Sequence, residues 1–320
     1  MKKILLSVVT FLSLIACQSE EPLNIFNLFS DRDRELPYLV TMKSSDTDTV
    51  TLLFSEEVRV KKALCEENNP TYTMTMPDTV KLSFPSPLPV GDAKELYIVV
   101  SDRAGNTTSM ILSVSGKNDR IPVLKITEFS SKGTDTQPDR IEIQAYSAGS
   151  TEGVYIADGS KGNESHGFIL PHLELRRGDY LVIWWDTVPD KTTYTNKSSR
   201  TVYNIAAGAS KGLATNNGAI VMYDTKSGDG EVLDCVIYTD GQSTTYSGFG
   251  SSAAEKTYNT LTASFDWIGE AFNSKLATST RTVNRYNGSD DTNRAEDFYI
   301  CTTRGISFGE SNTEAVYIQE

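Results

Sequence analysis

Over much of this chain apolar and polar residues alternate in short runs. In residues 49–54, TVTLLF, Val50, Leu52 and Phe54 fall on one face. Residues 79–84, TVKLSF, repeat this with Val80, Leu82 and Phe84, and residues 95–102, ELYIVVSD, with Leu96, Ile98 and Val100. A period of two marks strands with one buried face, since successive side chains point to opposite sides of a sheet. Turn-forming residues separate the runs, as at residues 46–48 (DTD) and 89–92 (PVGD). The SDRAGN stretch at 101–106 reads as a hairpin turn, its Gly tolerating positive φ. Further on, Ile141 and Ile143 alternate with Glu142 and Gln144, and the segments GDYLVIWWD, GAIVMY and LDCVIYTDG read as more strands. One segment breaks the pattern. In residues 251–276 Ala254, Tyr258, Leu261, Phe265, Ile268 and Phe272 recur every three or four positions, which predicts an amphipathic helix with Ser251 or Ser252 as N-cap. The fold class expected is all-β: two β-sandwich domains, the second with an inserted helix.

The amino end has a different logic. Lys2 and Lys3 precede a largely apolar run at 4–15, which is shorter than the ~20 residues a spanning helix needs and has the proportions of a secretory signal. Leu14-Ile15-Ala16-Cys17 resembles the lipobox of bacterial lipoproteins. The resemblance implies that residues 1–16 are a removed signal peptide, and that Cys17 becomes a lipidated first residue, a membrane anchor. Residues 17–34 read as a polar tether, and Gln18 after the anchor favours, by enterobacterial sorting logic, the outer membrane. The expected location is therefore exported and lipid-anchored, at the outer membrane or cell surface.

Charge narrows the partners. Thirty Lys and Arg against 42 Asp and Glu give −12, with no basic patch in the sequence. That disfavours nucleic acid, and also anionic headgroups, leaving the lipid on Cys17 as the membrane contact. Three further cysteines remain. Cys235 and Cys301 lie in strand-like segments of one domain and are the plausible disulfide pair; buried, unpaired thiols are the alternative.

Two wider resemblances follow. VTLLFSEEV early and YIVVSDRAGNTTSMILSV late make residues 35–116 resemble a bacterial immunoglobulin-like domain, without the Cys…Trp…Cys core of the antibody subclass. After the polar joint SGKNDRIP, residues 117–320 resemble the lamin-tail domain. A strand opening with a Glu, a Pro-Asp turn, the IEI strand, GDYLVI, LDCVIYTDG and the closing DTNRAEDFYI carry that likeness, which implies an immunoglobulin-like sandwich.

Catalytic patterns fail on context. GASKG at 208–212 offers Ser210, but a loop and strand follow where the nucleophile turn needs a helix, and both histidines come earlier. GFGSSA at 248–253 precedes the expected helix but lacks the preceding strand and βαβ unit of a dinucleotide site. His166 and His172, six apart, fit no metal spacing and read as exposed or hydrogen-bonded histidines. The acidic turns carry more. Asp224, Asp229 and Glu231 in one, and Asp290, Asp291 and Asp297 in the other, are candidate calcium ligands, although neither follows the EF-hand spacing and turn chemistry explains the same residues. Trp184 and Trp185 are adjacent and must point to opposite faces of a strand, so one belongs to the core and the other is a candidate ligand contact. The function expected is non-catalytic: a cell-envelope protein whose β-modules bind a protein or glycan, with no catalytic residues and no cofactor beyond calcium. The alternatives are an envelope hydrolase using a carboxylate pair such as Glu142 and Asp179, and a purely structural spacer.

Overall fold

The computed structural model of the protein describes residues 33–226, 230–288 and 290–319. The first unit contains strands Leu39–Ser44 (β1), Thr49–Phe54 (β2), Arg59–Cys65 (β3), Thr71–Met76 (β4), Thr79–Ser83 (β5), Lys94–Ser101 (β6) and Thr107–Val114 (β7). They form two sheets, ordered β1-β2-β5-β4 and β3-β6-β7, which contribute to one shared core. Val50, Leu52, Val80, Leu82, Leu96, Ile98 and Val100 are fully buried in it, so the alternating pattern delivers the inner face of each sheet. Strand β4 is an edge strand exposed along its whole length.

The second unit begins with Leu124–Ser130 (β8), Arg140–Ala145 (β9), Gly149–Ser150 (β10), Tyr155–Ala157 (β11), Gly167–Ile169 (β12), Glu174–Leu175 (β13) and Tyr180–Trp184 (β14). It continues through Thr193–Thr195 (β15), Thr201–Ala206 (β16), Gly218–Tyr223 (β17), Val232–Thr239 (β18), the helix Ser252–Ala263 (α1), Phe272–Asn273 (β19), Val283–Arg285 (β20) and Phe298–Ile300 (β21). A seven-stranded sheet, β15-β16-β14-β9-β8-β20-β21, packs against a five-stranded one, β12-β11-β17-β18-β19, over a second core; β10 and β13 pair separately. Strands β14 and β16 run parallel, as do β18 and β19. Along β9 and β14 the pleat sends Ile141, Ile143, Leu181 and Ile183 inward, with Trp185 following them into the core. Ala219 to Tyr223 of β17 are all buried, because α1 packs against that strand and closes the side the pleat would otherwise expose.

The helix is shorter than its sequence spacing suggests. Ser251 is its N-cap, the Oγ accepting the Ala254 N–H at 3.2 Å. Leu261 and Thr257 are buried, with Ala254 and Tyr258 against the core. The helix then stops: Ser264 is its C-cap, and Phe265 takes φ 63° with its ring 75% exposed. Ile268 lies in the turn that follows and Phe272 in β19, so three of the six expected helical positions are not helical.

The joint between the units is bonded to both. Ser44 Oγ donates to Ser115 O at 2.6 Å, while the buried Asn118 amide donates to Ser150 O and Glu152 O at 2.8 and 3.0 Å. Gly116 has no room for a side chain, since a Cβ there would lie 2.7 Å from Leu88 O. Among the described residues no helix is long and apolar enough to cross a membrane. Cys17 lies outside the described residues.

Candidate functional site

The outer face of the seven-stranded sheet carries the side chains with chemistry. Strand register lays one row straight across it: Asn284 of β20, Glu128 of β8, Glu142 of β9, Val182 of β14 and Asn204 of β16. The neighbouring row holds Ser130, Arg140, Trp184 and Ala206. Segment 307–312 straps the carboxylate part of this face. Glu128 accepts from Thr282 Oγ1 at 2.5 Å, Ser307 N at 3.1 Å and Ser307 Oγ at 2.9 Å; Glu142 accepts from Thr127 Oγ1 at 2.6 Å and Gly309 N at 2.5 Å. Both carboxyls are fully buried. Burial pushes both above the ordinary carboxylate range, and the charge of Glu128 raises Glu142 further. The buried neighbour of Glu142 is thus Glu128; Asp179 sits in a turn, accepting the Arg176 and Thr201 N–H groups.

Beside the strap lies an open pocket of about 250 Å³ bounded by Arg140, Trp184, Pro189, Asp190, Lys191, Tyr194, Asn204 and Phe308, with Val182 below. Trp184 Nε1 donates to Asn204 Oδ1 at 2.9 Å, fixing the indole, and Asn204 Nδ2 donates to Lys191 O at 2.8 Å. The Arg140 guanidinium lies 5.1 Å from the Trp184 ring and 4.2 Å from that of Phe308. Two other open pockets, each about 520 Å³, lie elsewhere. One, between α1 and β17–β18, contains Lys161, Tyr223 and Asp266. The other contains Lys132, Lys211, Asp139 and Asp186, and burial raises Asp139 to about 6 despite its bond from the Gly133 N–H.

The expected site residues fall into place unevenly. Trp184 is half-buried at the pocket, but Trp185 is fully buried against His166 and Phe168, so it is a core residue and no ligand contact. Among the described residues the carboxylates of the acidic turns do not converge as a cation site. Asp224 pairs with Lys117 at 2.7 Å and accepts the Glu231 N–H, while Glu231 reaches Lys43 at 3.4 Å. Asp291 and Asp297 approach Arg285 at 3.0 and 3.6 Å, and Asp297 also accepts from Thr292 N and Oγ1, holding the DTN turn; Asp290 is exposed. Asp229 lies outside the described residues. Among the described residues the three carboxylates that do converge are Asp33, Glu56 and Asp102, in the first unit.

Cys235 and Cys301 are not bonded to each other; both are free and buried, as is Cys65. Cys235 lies in β18 and Cys301 just after β21, and each thiol has its own partner: Cys235 Sγ donates to Asp266 O at 3.2 Å, and Cys301 Sγ lies 3.2 Å from Thr282 Oγ1. His166 Nε2 is 2.9 Å from Ala207 O, and His172 lies by Glu152 and Glu174. Ser210 stands in a loop after β16.

Sequence reasoning missed a buried ion pair. Arg285 of β20 crosses the core to Asp234 of β18, Nη2 meeting both carboxylate oxygens at 2.7 and 2.8 Å, with Nε donating to Ile126 O at 2.9 Å. The signal was present as single charges inside apolar strands, at Glu128, Asp234 and Arg285. Such residues are almost never fully buried without partners.

No curated protein matches the chain. The family model described as "protein second domain", TP_1001_2nd, matches residues 122–300, more than half of the chain, and the chain belongs to that family.

Proposed function

We propose that the protein is a non-catalytic, lipid-anchored envelope protein that binds a glycan or protein partner through the Trp184 pocket of its second, lamin-tail-like unit. The observation that carries this reading is the pocket itself: a held indole, with Tyr194, Phe308 and Pro189 around it and polar groups at its margin, on a rigid sheet. Aromatic faces fixed on a scaffold offer large contact area at little entropic cost. The first, immunoglobulin-like unit serves as a spacer, Cys17 carries the lipid, and the chain sits at the outer membrane or cell surface. The adjacent carboxyls Glu128 and Glu142 favour structure over hydrolysis, because the strap occupies the oxygens that an acid/base pair would turn to a substrate.

The test is a screen of glycans and extracellular-matrix proteins with the full chain in detergent, comparing wild type with Trp184→Ala. A true contact residue loses about 30-fold or more in affinity, the effect of a hot spot. Binding indifferent to Trp184→Ala would refute the site, and absence of any ligand would favour the spacer. Mass spectrometry of the native product decides the anchor: an unmodified Cys17 removes it.

A further inference from the structure

We infer that the Trp184 pocket takes a carboxylated sugar, with Arg140 anchoring the carboxylate. This rests on the reading of the pocket as a contact site and adds the chemistry of its ligand.

The pocket wall holds a cation without an ion-pair partner among the described residues. Arg140 is directly opposite Trp184 across β9 and β14, and its guanidinium is held between two rings, those of Trp184 and Phe308. Its Nη2 donates to Gln137 Oε1 at 3.0 Å, while its buried Nε has no acceptor. In a chain with 42 acidic residues, Arg140 forms no salt bridge among the described residues; the buried Arg285, by contrast, meets three carboxylates. Glu128 and Glu142 favour the charge from a distance but form no ion pair with it. Glu128 and Glu142 spend their oxygens on Thr127, Thr282, Ser307 and Gly309. Burial pulls the Arg140 guanidinium below its ordinary value, with Glu128 and Glu142 pulling the other way, which is the mark of a cation short of counter-charge. A planar guanidinium already oriented by stacking loses little freedom on meeting a carboxylate, which would be taken by the Nη end, since Nε is buried and out of a ligand's reach.

The rest of the pocket fits a sugar ring. At about 250 Å³ it falls below the roughly 300–1,000 Å³ of pockets that swallow larger ligands, so it suits one ring lying open to solvent. Trp184, Tyr194 and Pro189 supply apolar surface for a pyranose face, and Asp190 and Lys191 stand at the margin for hydroxyls. Asn204 has both ends of its amide engaged, by Trp184 Nε1 and Lys191 O, so it orients the wall and leaves no amide for a peptide backbone. The charges facing the ligand are Arg140 from β9, Asp190 and Lys191 from the loop before β15, and, under the strap, the two buried glutamates. Asp190 and Lys191 offset each other, leaving Arg140 to set the sign.

The experiment uses the full chain in detergent with two matched probes, methyl β-glucuronide and methyl β-glucoside, titrated by ligand-observed NMR into wild type, Arg140→Gln, Arg140→Lys and Trp184→Ala. The wild type should prefer the glucuronide by about tenfold or more, a preference that shrinks with added salt. Arg140→Gln should erase the preference by weakening the glucuronide about tenfold more than the glucoside, Arg140→Lys should keep part of it, and Trp184→Ala should weaken both probes by similar factors. Unchanged melting temperatures confirm folding, and Arg140→Lys preserves the charge if Arg140→Gln does not fold. Equal affinity for both probes, or a preference surviving Arg140→Gln, overturns the inference while leaving the binding role intact. Displacement of the glucuronide by acetyl-Gly-Gly as strongly as by more glucuronide overturns the sugar assignment in favour of peptide chain ends. If neither probe binds but the screen yields a Trp184-dependent ligand, the carboxylated sugar is wrong and the binding role stands; if that screen also fails, both fall.

Discussion

Replacing Arg285 by Met would remove the charge that joins the two sheets of the second unit. Arg285 is 2% exposed and Asp234 4%, and their bidentate contact at 2.7 and 2.8 Å lies inside the core. The methionine fills much of the space but leaves Asp234 with only the Ile126 and Cys235 N–H groups, at 2.6 and 2.8 Å. An uncompensated carboxylate in that setting costs about 3–5 kcal/mol, far more than the intact pair contributes relative to an apolar pair of the same shape. Against a typical total of about 5–15 kcal/mol this is a large fraction. A unit of this size loses about 2–4 °C of Tm per kcal/mol, so the variant should melt roughly 6–20 °C lower by calorimetry. The paired change Arg285→Met with Asp234→Leu should recover most of that loss, because the stranded charge is gone. A single variant within about 1 kcal/mol of wild type in urea unfolding, or a double variant as unstable as the single one, would refute the claim that Asp234 depends on Arg285.

Other consequences are as direct. A carboxyl raised in the folded state binds its proton more tightly there, so its stabilising contribution is complete at pH below the unfolded value, near 4.5, and is lost as pH climbs through the raised one; Glu128 and Glu142 should therefore make stability fall with rising pH above that value, and Glu142→Gln should flatten the profile in urea titrations at several pH values. A profile unchanged by Glu142→Gln would remove the pair as its cause. Ser251→Ala deletes the helix cap and should cost about 1 kcal/mol, measured by chemical denaturation. Cys235 and Cys301, buried and pushed upward by desolvation, should react with a thiol reagent only after unfolding, and non-reducing mass analysis should find both reduced. Millimolar calcium should leave the melting temperature of the second unit unchanged, because Asp224, Asp291 and Asp297 already serve Lys117, Arg285 and backbone N–H groups; a clear rise would return the acidic turns to consideration as ligands.

The first sandwich was legible because its strands are half-buried: Val50, Leu52 and Phe54 are inside and their neighbours less so, which is what period two encodes. The same rule is silent on GAIVMY, where sheet and helix bury both faces. The helix was legible at its start, where Ser251 caps it, and overrun at its end, because Phe265, Ile268 and Phe272 keep the spacing by coincidence while Phe265 reverses the chain at positive φ. Of the site, adjacency alone separated Trp184 from Trp185 without saying which was inside. That depended on strand order: the core side of β14 joins a cluster that also holds Ile220 and Val236 of the other sheet, and only pairing partners far along the chain decide it. Arg140 was invisible for the same reason, since its two rings come from β14 and from residue 308, which is 168 positions away. Of the acidic turns, Asp291 pairs with Arg285, and Asp224 with Lys117, a cation remote in sequence that no local pattern could reveal.

The strap over Glu128 and Glu142 lies beyond the segment that the family model matches. The family match covers residues 122–300, yet Ser307, Gly309 and Asn312 supply donors to buried groups of β8, β9 and β20, and Tyr317 N bonds Ile300 O at 2.8 Å. A fragment trimmed to the matched boundary would open two buried carboxyls to water and remove the Asn312 donors from the Thr127 and Arg285 carbonyls. Any excised version of this unit has to carry residues 301–317 with it, because their donors satisfy buried groups of the matched segment.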